Sequence, residues 1–217
     1  MRWCLPTTAL GCLVVAVLVG CSVTGEAVGA RVDLTDRSVT ADDFPVSGAT
    51  RVPQQAIAFA LDGLTGSDPA VSDPADCTPR RLDSQGAVVF QGLAADSTSS
   101  YISGVAYAEN TVKQVNEQAK RCPHATGGTA AASSSVTTVV DPAPTVRQGI
   151  AATSIRRAVV TGGAQSPLTT SSLTLIAQRG QVRVSVQYRW SGSSRIDPGA
   201  AAELDSLFTK AVAAAFA

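Results

Sequence analysis

Few side chains in this sequence could do chemistry, and their spacing excludes most of what they could do. The single histidine, His124, follows Cys122-Pro123. As a general base it would need a nucleophile to deprotonate and a carboxylate to orient it. The sequence has no Gly-x-Ser-x-Gly elbow and no Ser-x-x-Lys pair, so an exposed loop imidazole is the plainer reading. Asp62, Asp68, Asp73 and Asp76 lie among Gly, Ser and Pro. Their spacing departs from the alternating acids and fixed glycine of an EF-hand and reads as a solvated loop. Zinc or copper would need several imidazoles or thiolates, and a Gly-x-Gly-x-x-Gly or Walker loop for phosphate is missing. The sequence therefore predicts no catalytic residue, no metal site and no cofactor. What remains is arginine. Guanidinium forks suit carboxylate and phosphate, so Arg156, Arg157, Arg183 and Arg189 are candidate ligand-facing residues; a solvated sheet face explains them equally well.

The cysteines say where such a domain sits. Leu18-Val19-Gly20-Cys21 closes an apolar run, Ala9 to Val19, that opens after Met1-Arg2-Trp3. A charged start, an apolar centre of roughly 7–15 residues and small residues before the cut make a secretory signal. The run falls short of the roughly 20 apolar residues of a membrane-spanning helix. The four residues resemble a bacterial lipobox, in which the thiol is acylated and the chain is cut before the cysteine. Cys21 is then the lipidation site and first mature residue, bearing acyl chains of the palmitate kind. Each buried methylene contributes about 0.8 kcal/mol, and two chains anchor stably. Ordinary secretion, with Cys21 a spare thiol, is the alternative. Cys4 and Cys12 leave with the signal, so Cys77 and Cys122 remain, an even pair that reads as one disulfide in an oxidising compartment. Two buried free thiols are the alternative there.

Composition bounds the partners. The 17 basic and 17 acidic side chains balance, so no field of one sign exists to recruit nucleic acid. The preponderance of arginine over lysine, with abundant Ala, Val, Gly and Thr, resembles the usage of an actinobacterium. The organisation read from the chain is a signal peptide over 1–20, a flexible tether over 21–41, and a single extracytoplasmic domain over 42–217.

Within that domain, Gln54 to Leu61 reads as a helix with Ile57, Leu61 and Leu64 on one stripe, ended by Gly63 and Gly66. Ala87 to Gln91 and Tyr101 to Ala108 read as strands; the second puts Ile102, Gly104, Ala106 and Ala108 on a small-residue face that lets the next helix approach. That helix begins with the capping box Thr111-Val112-Lys113-Gln114 and stops at Pro123. Ala125 to Ser135 reads as a loop by composition, Val136 to Val140 and Ile150 to Val160 as strands. Ser172 to Trp190 is a hairpin turning at Arg179-Gly180, with valines on its buried face and arginines on its outer face. Asp197 and Pro198 open a closing helix whose stripe is Leu204, Leu207, Phe208, Ala211, Val212, Ala215 and Phe216. The expected fold is α+β, a mainly antiparallel sheet of about five to six strands covered by helices, with a C-terminal amphipathic helix.

These pieces coincide with a known arrangement: the lipobox, the Asp-Phe-Pro entry at Asp43 to Pro45, Cys77-Thr78-Pro79 before a strand pair, a helix ending in Cys122-Pro123, then the hairpin and the closing helix. The chain resembles the actinobacterial, chiefly mycobacterial, lipoproteins whose domain is similar to the extracellular sensor domain of certain receptor serine/threonine kinases. The resemblance covers roughly Asp42 to Ala217. It implies a ligand-receiving cleft, usually with a second disulfide for which this chain has no cysteines, and it brings no catalytic residue. The expected function is a lipid-anchored, non-catalytic binding or sensor-like module on the extracytoplasmic face of the cell membrane. Its partners would be the membrane through the lipid, and a small-molecule, lipid or envelope-protein ligand. A surface-anchored hydrolase and a purely structural envelope protein are the competing classes.

Overall fold

A computed structural model describes residues 31–67, 73–129, 132–162 and 167–217. The signal segment, Cys21 and the tether as far as Ala30 lie outside these residues, as does Asp68. In chain order the elements are β1 (Thr50–Arg51), α1 (Ile57–Thr65), β2 (Asp83–Leu93), β3 (Ser100–Tyr107), α2 (Val112–Arg121), β4 (His124–Thr129), β5 (Ala132–Asp141), β6 (Ala151–Thr161), β7 (Leu168–Arg179), β8 (Val182–Ser191) and α3 (Pro198–Phe216). The strands form one sheet in the order β1-β2-β3-β8-β7-β6-β5-β4, with every neighbouring pair antiparallel. The expected class is therefore correct, but the sheet has eight strands rather than five to six. The additions are the two-residue edge β1 and β4, which occupies the Gly-Thr tract expected to be a loop. Its sequence has no alternation of large apolar with polar residues; cross-strand pairing with β5, His124 opposite Thr137 to Thr129 opposite Ala132, makes it a strand.

The period-two pattern of the C-terminal hairpin decides the two faces of the sheet. Val182, Val184, Val186, Tyr188 and Trp190 point to one side with Leu175 and Ala177, and there they meet Leu204, Leu207, Phe208, Ala211 and Val212 of α3. Each of these side chains is buried, and full burial of one Val, Leu or Phe contributes roughly 1.5–3 kcal/mol. Asp197 starts α3 as read from sequence, its Oδ1 accepting from the amides of Gly199 at 2.8 Å and Ala200 at 3.2 Å. The hairpin turns one residue later than expected, at Gly180-Gln181, with Arg179 opposite Val182.

Two shorter helices lie on the other side. α1 packs Ile57, Leu61 and Leu64 on Val89, Ile102 and Ala106. The small-residue face of β3 thus receives α1, the preceding helix, rather than α2. Its closeness is visible at Gly104, where a Cβ would stand 2.7 Å from Leu64 Cδ1. α2 packs Val112 and Ala119 on Ile155 and Ile176, three and two strands beyond β3. Thr111 and Gln114 form the expected capping box, and Cys122 ends α2 in a disulfide to Cys77 across a separation of 45 residues.

The boundary of the folded domain also shifts. Arg31 to Ala41, expected as the end of the tether, belongs to the domain: Leu34 and Val39 are 1% and 3% exposed in the cluster beneath α3, and the Leu34 amide donates to the Gly86 carbonyl at 2.9 Å. Isolated apolar residues among Asp, Thr and Ser carry no period, which hides an extended segment of this kind from pattern reading.

Candidate functional site: a cleft between two helices

Because α1 covers β2 and β3 while α2 covers β5 to β7, the middle of that face has no helix above it. A cavity of about 550 Å³ occupies the gap, within the range of about 300–1,000 Å³ typical of small-molecule sites. One wall is α1 with Phe59, Ala60 and Leu64; the other is α2 with Val115, Ala119 and the Cys77–Cys122 bridge. The floor is the polar side of the hairpin: Thr174 and Ile176 from β7, Arg183, Ser185 and Arg189 from β8, with Ile155 and Arg157 from β6. The hairpin face expected to point outward is thus enclosed. Ser185 and Gln187 are only 2% and 1% exposed, so the alternation of β8 separates two interiors of different polarity rather than inside from outside.

Three of the four candidate arginines reach this cavity. Arg157 leaves β6 and its Nη1 donates to the carbonyl of Thr65. Arg189 leaves β8 and its Nη2 donates to the carbonyl of Gly63 at 3.2 Å and to Gln187 Oε1 at 3.0 Å. Both guanidiniums therefore converge on the last turn of α1, where carbonyls lack intrahelical partners and the helix dipole favours a cation. Gly66, at φ 72°, closes that turn in the left-handed region, and a Cβ there would stand 2.6 Å from Arg157 Nη1. Glycine at this position serves both the cap and the arginine.

Arg183 does different work. Its Nη2 donates to the Asn110 carbonyl at 2.5 Å, to Asn110 Oδ1 at 3.1 Å and to Gln178 Oε1 at 2.8 Å, and its Nε donates to Gln178 Oε1 at 3.2 Å. With these uncharged partners Arg183 pins the entry of α2 to the floor. Arg156, one residue from Arg157, faces the opposite side of the sheet, where its Nη2 meets Asp141 Oδ1 at 2.9 Å; it takes no part in the cleft.

The electrostatics of the three cleft arginines are one-sided. Among the described residues none of them has a carboxylate within 4 Å. Burial pushes Arg157 and Arg183 down to about 10, and Arg189 in the same direction, because desolvation disfavours a cation without an anionic neighbour. At about 10, Arg157 and Arg183 still carry their charge at neutral pH. Asp62 also borders the cleft, with its carboxylate 3.5 Å from Arg81. Beside the arginines, Ser185 Oγ is buried and has no hydrogen-bond partner among the described residues.

The other sequence candidates lie apart. His124 is exposed on β4, and its Nδ1 is 3.5 Å from Thr137 Oγ1. Among the described residues no serine or carboxylate of the kind a hydrolase would place around it is hydrogen-bonded to the imidazole, and Thr137 lies on the exposed side of β5. Asp73 pairs through its backbone with Thr126. Among the described residues no three His, Cys, Asp or Glu side chains form a set that could hold a metal ion, and no helix there is long and apolar enough to cross a membrane. Sequence reasoning missed Ser185, Thr174 and the α1 terminus as parts of one site; the only signal was the run of polar residues alternating with valine along β8.

No protein-family model matches this chain, and no curated protein matches it. Among solved structures, it is similar to an uncharacterized protein from Mycobacterium smegmatis at 14% identity and a TM-score of 0.46, over 78% of this chain and 86% of that one. It is also similar to the extracellular domain of PknH from Mycobacterium tuberculosis at 13% identity and a TM-score of 0.41, over 75% of this chain and 97% of that one.

Proposed function

We propose that the chain is a non-catalytic binding module that takes a small molecule or lipid into the cleft between α1 and α2, held outside the cytoplasm by acyl chains on Cys21. The cavity of about 550 Å³ carries this reading: a domain evolved only for structure would close its helices over the sheet, whereas here a buried polar floor is kept between apolar walls. The Cys77–Cys122 bridge supports an oxidising compartment, and the lipobox-like Leu18-Val19-Gly20-Cys21 supports the anchor. A binding site rather than a reactive one fits a cleft floored by arginines, because guanidinium stays protonated and binds without exchanging protons.

The test is native mass spectrometry of the full chain extracted from the membranes of its source, beside Ala60→Trp, which puts an indole into the mouth of the cleft without touching the floor. A bound small molecule on the parent protein that is lost from Ala60→Trp is the expected result, with an acylated peptide beginning at Cys21 from the same sample. A parent protein that is bare, and that no amphiphile or metabolite mixture shifts in melting temperature, would overturn the reading.

A further inference from the structure

Among the described residues the cleft arginines Arg157 and Arg189 have no ion-pair partner, while the Asp62 carboxylate at the cleft's border pairs with Arg81. Among the described residues Arg157 makes one hydrogen bond, to the Thr65 carbonyl, and Arg189 makes two, against five N–H donors on each guanidinium. The two cations meet at one helical turn, and among the described residues no carboxylate lies within 4 Å of either. Capping a helix C-terminus explains one donor from each. It does not explain two cations at the same turn, whose mutual repulsion in a partly desolvated site an anion would relieve. Ser185 is a second, independent sign. Its hydroxyl is 2% exposed, unpartnered among the described residues and part of the same floor, and a hydroxyl left unpaired at such depth is costly unless a ligand atom completes it.

The two walls of the cavity also carry hydrocarbon. Leu64 and Ile102 line it on the α1 side, and Val115, Ala119, Ile155 and Ile176 line it on the α2 side. From this juxtaposition we infer that the occupant is an anionic amphiphile, a carboxylate or phosphate head on Arg157 and Arg189 with a hydrocarbon body between the two helices. The inference rests on the cleft being a binding site and adds the chemical class of what it binds. Planar, forked recognition of an oxyanion is what paired guanidiniums supply, and the two non-polar walls supply the affinity that a free anion would lack.

Calorimetric titration of the full chain bearing Cys21→Ala, oxidised and delipidated, separates the possibilities with four probes: octanoate, octyl phosphate, octanol and inorganic phosphate. Octanoate or octyl phosphate should bind at least about tenfold more tightly than octanol, since a hydrogen bond to a charged group contributes about 1.5–3 kcal/mol; whichever of the two is tighter identifies the head. Inorganic phosphate should bind more weakly than octyl phosphate. Arg157→Gln and Arg189→Gln should each bring the anionic probes down toward octanol and leave octanol unchanged, while Arg156→Gln, on the far side of the sheet, changes nothing. Octanol binding as tightly as octanoate would overturn the anionic class and leave the cleft standing as a binding site. Inorganic phosphate equalling octyl phosphate would overturn the amphiphile. Failure of all four would overturn both readings. The comparison of probes on the parent chain needs no variant, so a misfolded arginine variant does not blunt it.

Discussion

The two faces of the central sheet are built on opposite principles. On one face a single helix of 19 residues, α3, lays a continuous apolar stripe over the valine side of the hairpin. On the other, two helices of 9 and 10 residues hold separate small clusters and leave a polar gap between them. β8 belongs to both: its even-numbered residues from Val182 to Trp190 face α3, and Arg183, Ser185 and Arg189 on its other side line the floor of the cleft. The first face is a core held by hydrocarbon. The second is held by a cross-link, a buried arginine network and helix caps, which keep two walls apart instead of pressing them together.

This contrast can be broken or sharpened by substitution. Cys77→Ser should have the largest effect, a loss of about 4 kcal/mol on the chain-entropy estimate for a bridge separated by 45 residues. It should appear as a lowered urea midpoint, with amide exchange accelerating more in α2 than in α3. Equal acceleration in the two helices would mean that the faces are not separately held. Leu204→Ala, at a position with no exposed surface, should cost about 3 kcal/mol as a large-to-small core change, with ligand uptake on the far face retained when the variant is kept below its unfolding temperature. Ser185→Ala should be the smallest, less than about 1 kcal/mol and toward greater stability, because it removes a buried hydroxyl that has no protein partner. A loss of several kcal/mol from Ser185→Ala would show that the floor is structural in the same sense as the α3 face.

The face that is a core was legible in the sequence, and the face that is a site was not. Leu204 through Phe216 at helical spacing, the Asp197-Pro198 start and the alternating valines are local patterns, and each is found where it was read. The capping box of α2 and the pairing of Cys77 with Cys122 were equally legible. By contrast, the outer face of the hairpin looks solvated in one dimension, because alternation with polar residues reports only that two sides differ. Whether the polar side meets water or a cavity depends on where α1 and α2 land, and the spacing of Gly104 and Ala106 indicates that a helix comes close without indicating which helix. Likewise Arg156 and Arg157 are neighbours in sequence but on opposite faces; alternation alone could have separated them, yet only the position of Asp141 shows which one is already paired.

The order of the strands adds a constraint on how the protein is made. β8, nearly the last element of the chain, is the one that joins β3 on one side to β7 on the other. Before it arrives, the ribbon β1-β2-β3 and the ribbon β7-β6-β5-β4 share no ladder, and each presents an open border to any other extended chain. A polypeptide emerging amino end first therefore keeps its two ribbons without a common ladder until its closing few dozen residues are free, so that losing the carboxyl end costs the molecule its continuous sheet and not merely its last helix.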